Sequence, residues 1–131
     1  MMGKFMNKDV KELIRNYTEA YNSFDIEGML SLLHKDIEFR NVSNGVANVE
    51  TKGIQEFQQI AEQSKNMFLS RHQTIKDLTV SDDIVEAGID YEAILAVDLP
   101  NGLKAGDALK LTGKSVFRVK ENKISVIEDY S

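Results

Sequence analysis

The chain has 131 residues, 42% hydrophobic and 28% charged, the balance of an ordinary globular protein and a length that fits one domain over residues 1–131. Its 21 acidic side chains outnumber 16 basic ones, a net charge of −5 that argues against binding a nucleic-acid backbone. No cysteine is present, which excludes disulfides, thiolate nucleophiles and thiolate metal sites.

The first residues, Met1 to Asp9, lack the apolar core of a signal peptide. No apolar run approaches the roughly 20 residues of a membrane span, so the expected location is cytoplasmic, with no membrane partner. Val10, Leu13, Ile14, Tyr17, Ala20, Tyr21 and Phe24 recur at steps of three and four, which predicts one face of a helix. Asn7 is placed to cap it, with Asp9 in its first turn. Asn22-Ser23 breaks this helix. Asp25 then caps a short one carrying Ile26, Met29, Leu30, Leu32 and Leu33, with His34 and Lys35 at its negative end. Ile37, Phe39 and Asn41 alternate with Glu38 and Arg40, a strand pattern. Val42 to Lys52 reads as a loop or weak hairpin, and Gly53 opens a third helix with Ile54, Phe57, Ile60, Ala61 and Met67 inward.

After that the period switches to two. Strands are predicted over Ser70–Val80, Ile84–Val97, Leu109–Val119 and Lys123–Tyr130. Val85, Ala87, Ile89, Tyr91, Ala93 and Leu95 share one face of the second. Leu109, Leu111, Ser115, Phe117 and Val119 share one face of the third, and Ser125, Ile127 and Asp129 one face of the fourth. The only proline, Pro100, lies in a loop. Helices followed by a long-stranded meander make an α+β pattern, and Gly88 and Gly113 inside long strands predict a bent sheet over a cavity.

The order from Tyr17 to Asn41 is a helix with two tyrosines, a polar turn at Asn22 to Asp25, a short helix and a strand. It resembles the opening of the NTF2-like superfamily, and within it the SnoaL-like and ketosteroid-isomerase-like branches. The resemblance covers nearly the whole chain. It implies a cone in which three N-terminal helices pack on a strongly bent mixed or antiparallel sheet enclosing a pocket.

The resemblance also implies site residues. Tyr17 matches the tyrosine that donates to the oxyanion in ketosteroid isomerases; its alternative reading is a core tyrosine on the buried stripe. The general-base position of those isomerases reads Asn41. An amide cannot take a proton from carbon, so standard ketosteroid isomerisation is disfavoured. Their second oxyanion donor falls near Ser115. The related dehydratases have a tyrosine and an aspartate on the first helix and a histidine on the strand after the third. Here those places read Tyr17, Asn22 and His72, and a half-exposed structural histidine is the alternative. SnoaL-like cyclases use an aspartate as acid and base, which makes Asp129 the candidate, against a solvated residue near the C-terminal end.

The expected site therefore has Tyr17, His72 and Asp129 as catalytic groups. Tyr21, Phe39, Asn41, Ile89, Tyr91, Leu111, Ser115 and Ile127 are the expected ligand-binding lining. No metal or cofactor is expected. The expected ligand is a small, mainly apolar organic molecule, with isomerase, cyclase or dehydratase chemistry as the enzymatic form. The rival is a non-catalytic dimerisation or scaffold domain whose cavity is filled. Family members commonly pair through the outer sheet face, so a homodimer is expected there through Ile84, Ile94, Thr112 and Val116.

Overall fold

The structure, a computed structural model, describes residues 7–131, with side chains from Asp9 onward; the expected cap by the Asn7 side chain lies outside that set. Three helices and six strands follow in the order α1 (Asn7–Asn22), α2 (Ile26–Ser31), β1 (Leu33–Ser43), β2 (Val46–Lys52), α3 (Ile54–Lys65), β3 (Phe68–Ser81), β4 (Ile84–Leu95), β5 (Ala108–Lys120) and β6 (Lys123–Tyr130). The strands form one sheet in the order β2-β1-β6-β5-β4-β3. Strand β1 runs parallel to β6 and every other pairing is antiparallel, so the sheet is mixed.

The α+β class holds, but the helices are not all N-terminal. A hairpin, β1–β2, separates α2 from α3. Its turn is Asn44-Gly45, with φ of 53° and 80°, the left-handed pair that matches the twist of two paired strands. The second helix also ends earlier than expected. Asp25 caps it by accepting from the Gly28 backbone N–H at 2.9 Å, but it stops at Ser31 and β1 begins at Leu33. The backbone N–H of Ile124 donates to the Leu32 carbonyl at 2.9 Å, drawing the chain into the sheet. His34 is therefore a buried strand residue and not a helix-terminal cation. Its Nδ1 accepts from the Asp36 backbone N–H at 3.1 Å, and its Nε2 lies 2.7 Å from Glu121. That bond to His34, more than any other contact, lowers the Glu121 pKa.

The apolar stripe of α1 does what its periodicity predicts. Val10, Ile14 and Tyr17 are buried in one core with Val85, Ala87, Ile89, Phe117 and Ile127 from the inner face of the sheet. Phe57 and Ala61 of α3 join the same core. Asn22, at the C-terminal end of α1, fixes that helix to β3. Its Nδ2 donates to the Gln73 carbonyl at 3.1 Å, and its Oδ1 accepts from the Gln73 backbone N–H at 2.7 Å. Asn22→Ala leaves both backbone groups without these partners and is expected to cost about 1–3 kcal/mol in urea unfolding.

Two bulges set which side chains face inward. In β3, Ile75 pairs with Ile89 and Asp77 with Gly88, so Lys76 is an extra residue. Before it the inward residues are Arg71, Gln73 and Ile75; after it they are Leu78 and Val80. In β6, Arg118 pairs with Val126 and Val119 with Ile124, leaving Ser125 extra; Ile124 and Ile127 are both buried as a result. Among the described residues, no helix is long and apolar enough to cross a membrane.

Candidate functional site

A cavity of about 490 Å³ lies between α1, α3 and the inner face of the sheet. Apolar side chains dominate its wall, among them Phe39, Phe57, Phe68, Ile89 and Phe117. Val49, Met67 and Leu111, all well-exposed apolar side chains, also line it and supply an apolar rim. Met67 was expected on the inward face of α3, but that helix ends at Lys65 and Met67 follows it.

One row of side chains crosses three strands at the cavity. Asn41 of β1 pairs with Asp129 of β6, which pairs with Ser115 of β5. All three line the cavity. The buried Ser115 hydroxyl donates to Asp129 Oδ1 at 2.6 Å, a short charge-assisted bond. Asn41 Nδ2 is turned to Asn48 Oδ1 at 2.9 Å. Burial pushes the Asp129 carboxyl from 3.8 up to about 6, against the lowering effect of the Ser115 bond. It is thus mostly ionised at neutral pH, yet close enough to neutrality to take up and release a proton.

Tyr17 lines the same cavity from α1, its ring edge-on to Phe117 at 6.3 Å between centroids. Burial, and after it the Asp129 charge, push its hydroxyl well above the usual range. Tyr17 therefore keeps its proton and can serve as a hydrogen-bond donor but not as a base. Tyr21 donates to the Tyr91 hydroxyl at 3.2 Å, and burial raises both.

His72 is not in this cavity. It is exposed, on the opposite face of β3 from Arg71 and Gln73, and pairs with Glu92 of β4. The reason is the bulge: alternation counted back from Leu78 and Val80 places His72 inward, and the extra Lys76 reverses the phase. The expected meeting of Tyr17, His72 and Asp129 is thereby reduced to Tyr17 and Asp129. Ile127 is fully buried in the core and does not line the cavity. Tyr21, Phe39, Asn41, Ile89, Tyr91, Leu111 and Ser115 all do.

Among the cavity residues absent from the expected set, Arg71 is the buried cation. Arg71, 4% exposed, stacks its guanidinium 3.7 Å from the Tyr21 ring centroid and 4.5 Å from that of Phe24. Its Nε donates to the Tyr21 carbonyl at 2.9 Å, in the last turn of α1, where a cation is favoured. The only available signal was an arginine beside the predicted histidine, in Ser70-Arg71-His72-Gln73, and charge alone points to solvent.

Residues 14–127 match the family of SnoaL-like domains, and the chain belongs to that family. No curated protein matches the sequence. Among solved structures, the chain is similar to a proposed polyketide cyclase from Xanthomonas campestris pv. campestris, at 19% identity and a TM-score of 0.76, over 95% of this chain and 90% of that one. It is similar to an LEH-like epoxide hydrolase of M. tuberculosis, at 13% identity and a TM-score of 0.75, over 94% and 82%. It is also similar to a hypothetical protein from Catenulispora acidiphila with a ketosteroid isomerase-like fold in complex with trimethylamine, at 15% identity and a TM-score of 0.75, over 92% and 85%. At these identities the likenesses establish the fold.

Proposed function

We propose that this SnoaL-like domain binds a small, mainly apolar carbonyl compound and moves a proton to and from carbon, with Asp129 as base and Tyr17 as donor. The observation that carries this reading is a single carboxyl held near neutrality on an apolar cavity wall, with a protonated tyrosine on the same cavity. In the forward step Asp129 takes a proton from the carbon next to the carbonyl. The C–H electron pair becomes the new C=C bond, and the carbonyl oxygen gains the charge that the Tyr17 hydroxyl meets. Return of the proton to another carbon completes an isomerisation. Attack of the enolate carbon on a second carbonyl sends that C=O pair to its oxygen, and transfer of the proton from Asp129 to the new alkoxide completes a cyclisation. Ser115 holds the carboxylate in place. Asn41, with no basic site, pairs with Asp129 across the strands and is hydrogen-bonded to Asn48. The cavity itself favours this reading over a scaffold with a filled centre.

The test is deuterium incorporation into β-tetralone in heavy water, followed by NMR. The wild type should accelerate exchange at the acidic carbon. Asp129→Asn should lose about a hundredfold or more of that acceleration, and Tyr17→Phe about tenfold or more. Exchange unchanged in Asp129→Asn would place the base elsewhere. Asn41 has no basic site, so any ketosteroid turnover by the wild type should run through Asp129 and be lost in Asp129→Asn.

We also propose a homodimer paired through the outer face of the sheet. Ile84, Ile94 and Val116 on the outer face are only half-buried, between cross-strand ion pairs such as Lys110–Glu92 at 3.4 Å and Lys114–Glu86 at 3.5 Å. Pairing of two such faces is expected to bury roughly 1,200–2,000 Å². Sedimentation at micromolar concentration should then give twice the 14.8 kDa chain mass; a species at 14.8 kDa alone would remove the dimer.

A further inference from the structure

We propose that Arg71 forms a second, anion-binding subsite in the cavity, so that the ligand is an organic acid whose carboxylate docks there. The inference rests on the proposed proton-transfer reading for the cavity but on different atoms. Arg71 is buried and lines the cavity, yet among the described residues it forms no ion pair. A guanidinium carries five N–H donors. Nε is used on the Tyr21 carbonyl, and Nη1 reaches Ser64 Oγ only at 3.5 Å. Nη2 is buried and has no partner among the described residues. A structural helix cap needs one of these donors. It does not explain a buried charge left without a counter-ion, which is costly unless something completes it.

The Nη1–Nη2 edge is the part of a guanidinium that matches two carboxylate oxygens. Tyr21 and Phe24 hold the plane of that fork by stacking on it. Gln73 of β3 and Ser64 of α3 also line the cavity and add polar groups beside it. Asp129 does not fill the role. No ion pair joins it to Arg71 among the described residues, and β5 and β4 separate their strands in the sheet. The cavity is thus polarised, with a cation at the β3 side, the acid–base carboxyl at the β6 side, and a largely apolar wall between them that also carries the Tyr17, Tyr21 and Tyr91 hydroxyls, each of which senses both charges. A ligand that fits carries a carboxylate at one end, an apolar body and an enolisable carbonyl at the other.

The probes are β-naphthoate and its neutral isostere β-naphthamide, titrated by calorimetry into the wild type, Arg71→Met, Arg71→Lys and Asp129→Asn. The wild type should bind the acid about tenfold tighter than the amide or better, the size of a charge-assisted hydrogen bond. Arg71→Met should bring the two affinities together. Arg71→Lys should keep part of the difference, and Asp129→Asn, which removes a negative charge from the same cavity, should keep or widen it. Should Arg71→Met fail to fold, nitrogen NMR of the wild-type guanidinium serves instead. Its resonances should move with β-naphthoate and stay in place with β-naphthamide. Equal affinity for acid and amide in the wild type, or a preference surviving in Arg71→Met, overturns the subsite alone. Failure of both probes to bind overturns the subsite and the binding pocket together. β-Tetralone carries no anion, so its exchange assay reports on Asp129 whatever happens at Arg71.

Discussion

Asp129→Asn is expected to stabilise the protein at neutral pH while removing its base. The carboxyl titrates near 3.8 in the unfolded chain and at about 6 in the folded one. Because the folded pKa is the higher one, the folded state holds the proton more tightly. The stabilisation this gives is complete below the unfolded value and is lost as pH rises through the window from 3.8 to about 6. Above that window the wild type carries the full cost of an ionised, desolvated carboxylate, about 2–3 kcal/mol for a shift of this size. The amide variant carries none of it. Unfolding of both proteins in urea should show similar stability near pH 4. The variant should then gain steadily and hold a constant lead above about pH 6. A lead independent of pH across that window would trace the gain to packing and not to the carboxyl's charge. Loss of function with gain of stability is the pattern of a residue kept for chemistry.

Gly113 carries the second large effect. It lies in β5 and lines the cavity, and a Cβ there would collide with the backbone carbonyl oxygen of Tyr130 at the end of β6. A backbone atom cannot turn aside as a side chain can. Gly113→Val must therefore push the end of β6 away from β5, and Asp129 lies one residue before Tyr130. The expected cost is about 3 kcal/mol or more in urea unfolding. The Asp129 carboxyl should fall back toward 3.8 as water enters. A variant as stable as the wild type would show that the strand end yields freely, and that β6 is not what holds the carboxyl in place.

Much of this architecture is legible in the chain because burial leaves a period behind. The stripe Val10, Ile14, Tyr17 specifies α1, and alternation from Val85 to Leu95 specifies both β4 and its inner face. The order of elements around Tyr17 and Asn41 suffices to suggest the family. Features without a period are harder to read. Strand β2 lies at the sheet edge and is mostly exposed, so its side chains carry little alternation, although Asn44-Gly45 is a strong hairpin signal. The extra residue Lys76 leaves no mark in composition, yet it decides that Arg71 and not His72 faces the cavity. Ser125 does the same in β6, but it lies before Ile127, so the phase of Asp129 is read correctly. Burial of an arginine depends on Tyr21, Phe24 and Ser64, distant residues that only the fold assembles.

The central claim is that Asp129 is a desolvated carboxyl poised near neutrality on the cavity wall. The most direct measurement is an NMR titration of its side-chain carboxyl carbon in the wild type, assigned by comparison with Asp129→Asn. The midpoint should lie at about 6. It should rise further in Ser115→Ala, which removes the hydrogen bond that favours the charged form. A midpoint near 3.8, unmoved by Ser115→Ala, would show a solvated surface carboxylate and would contradict the proposed base.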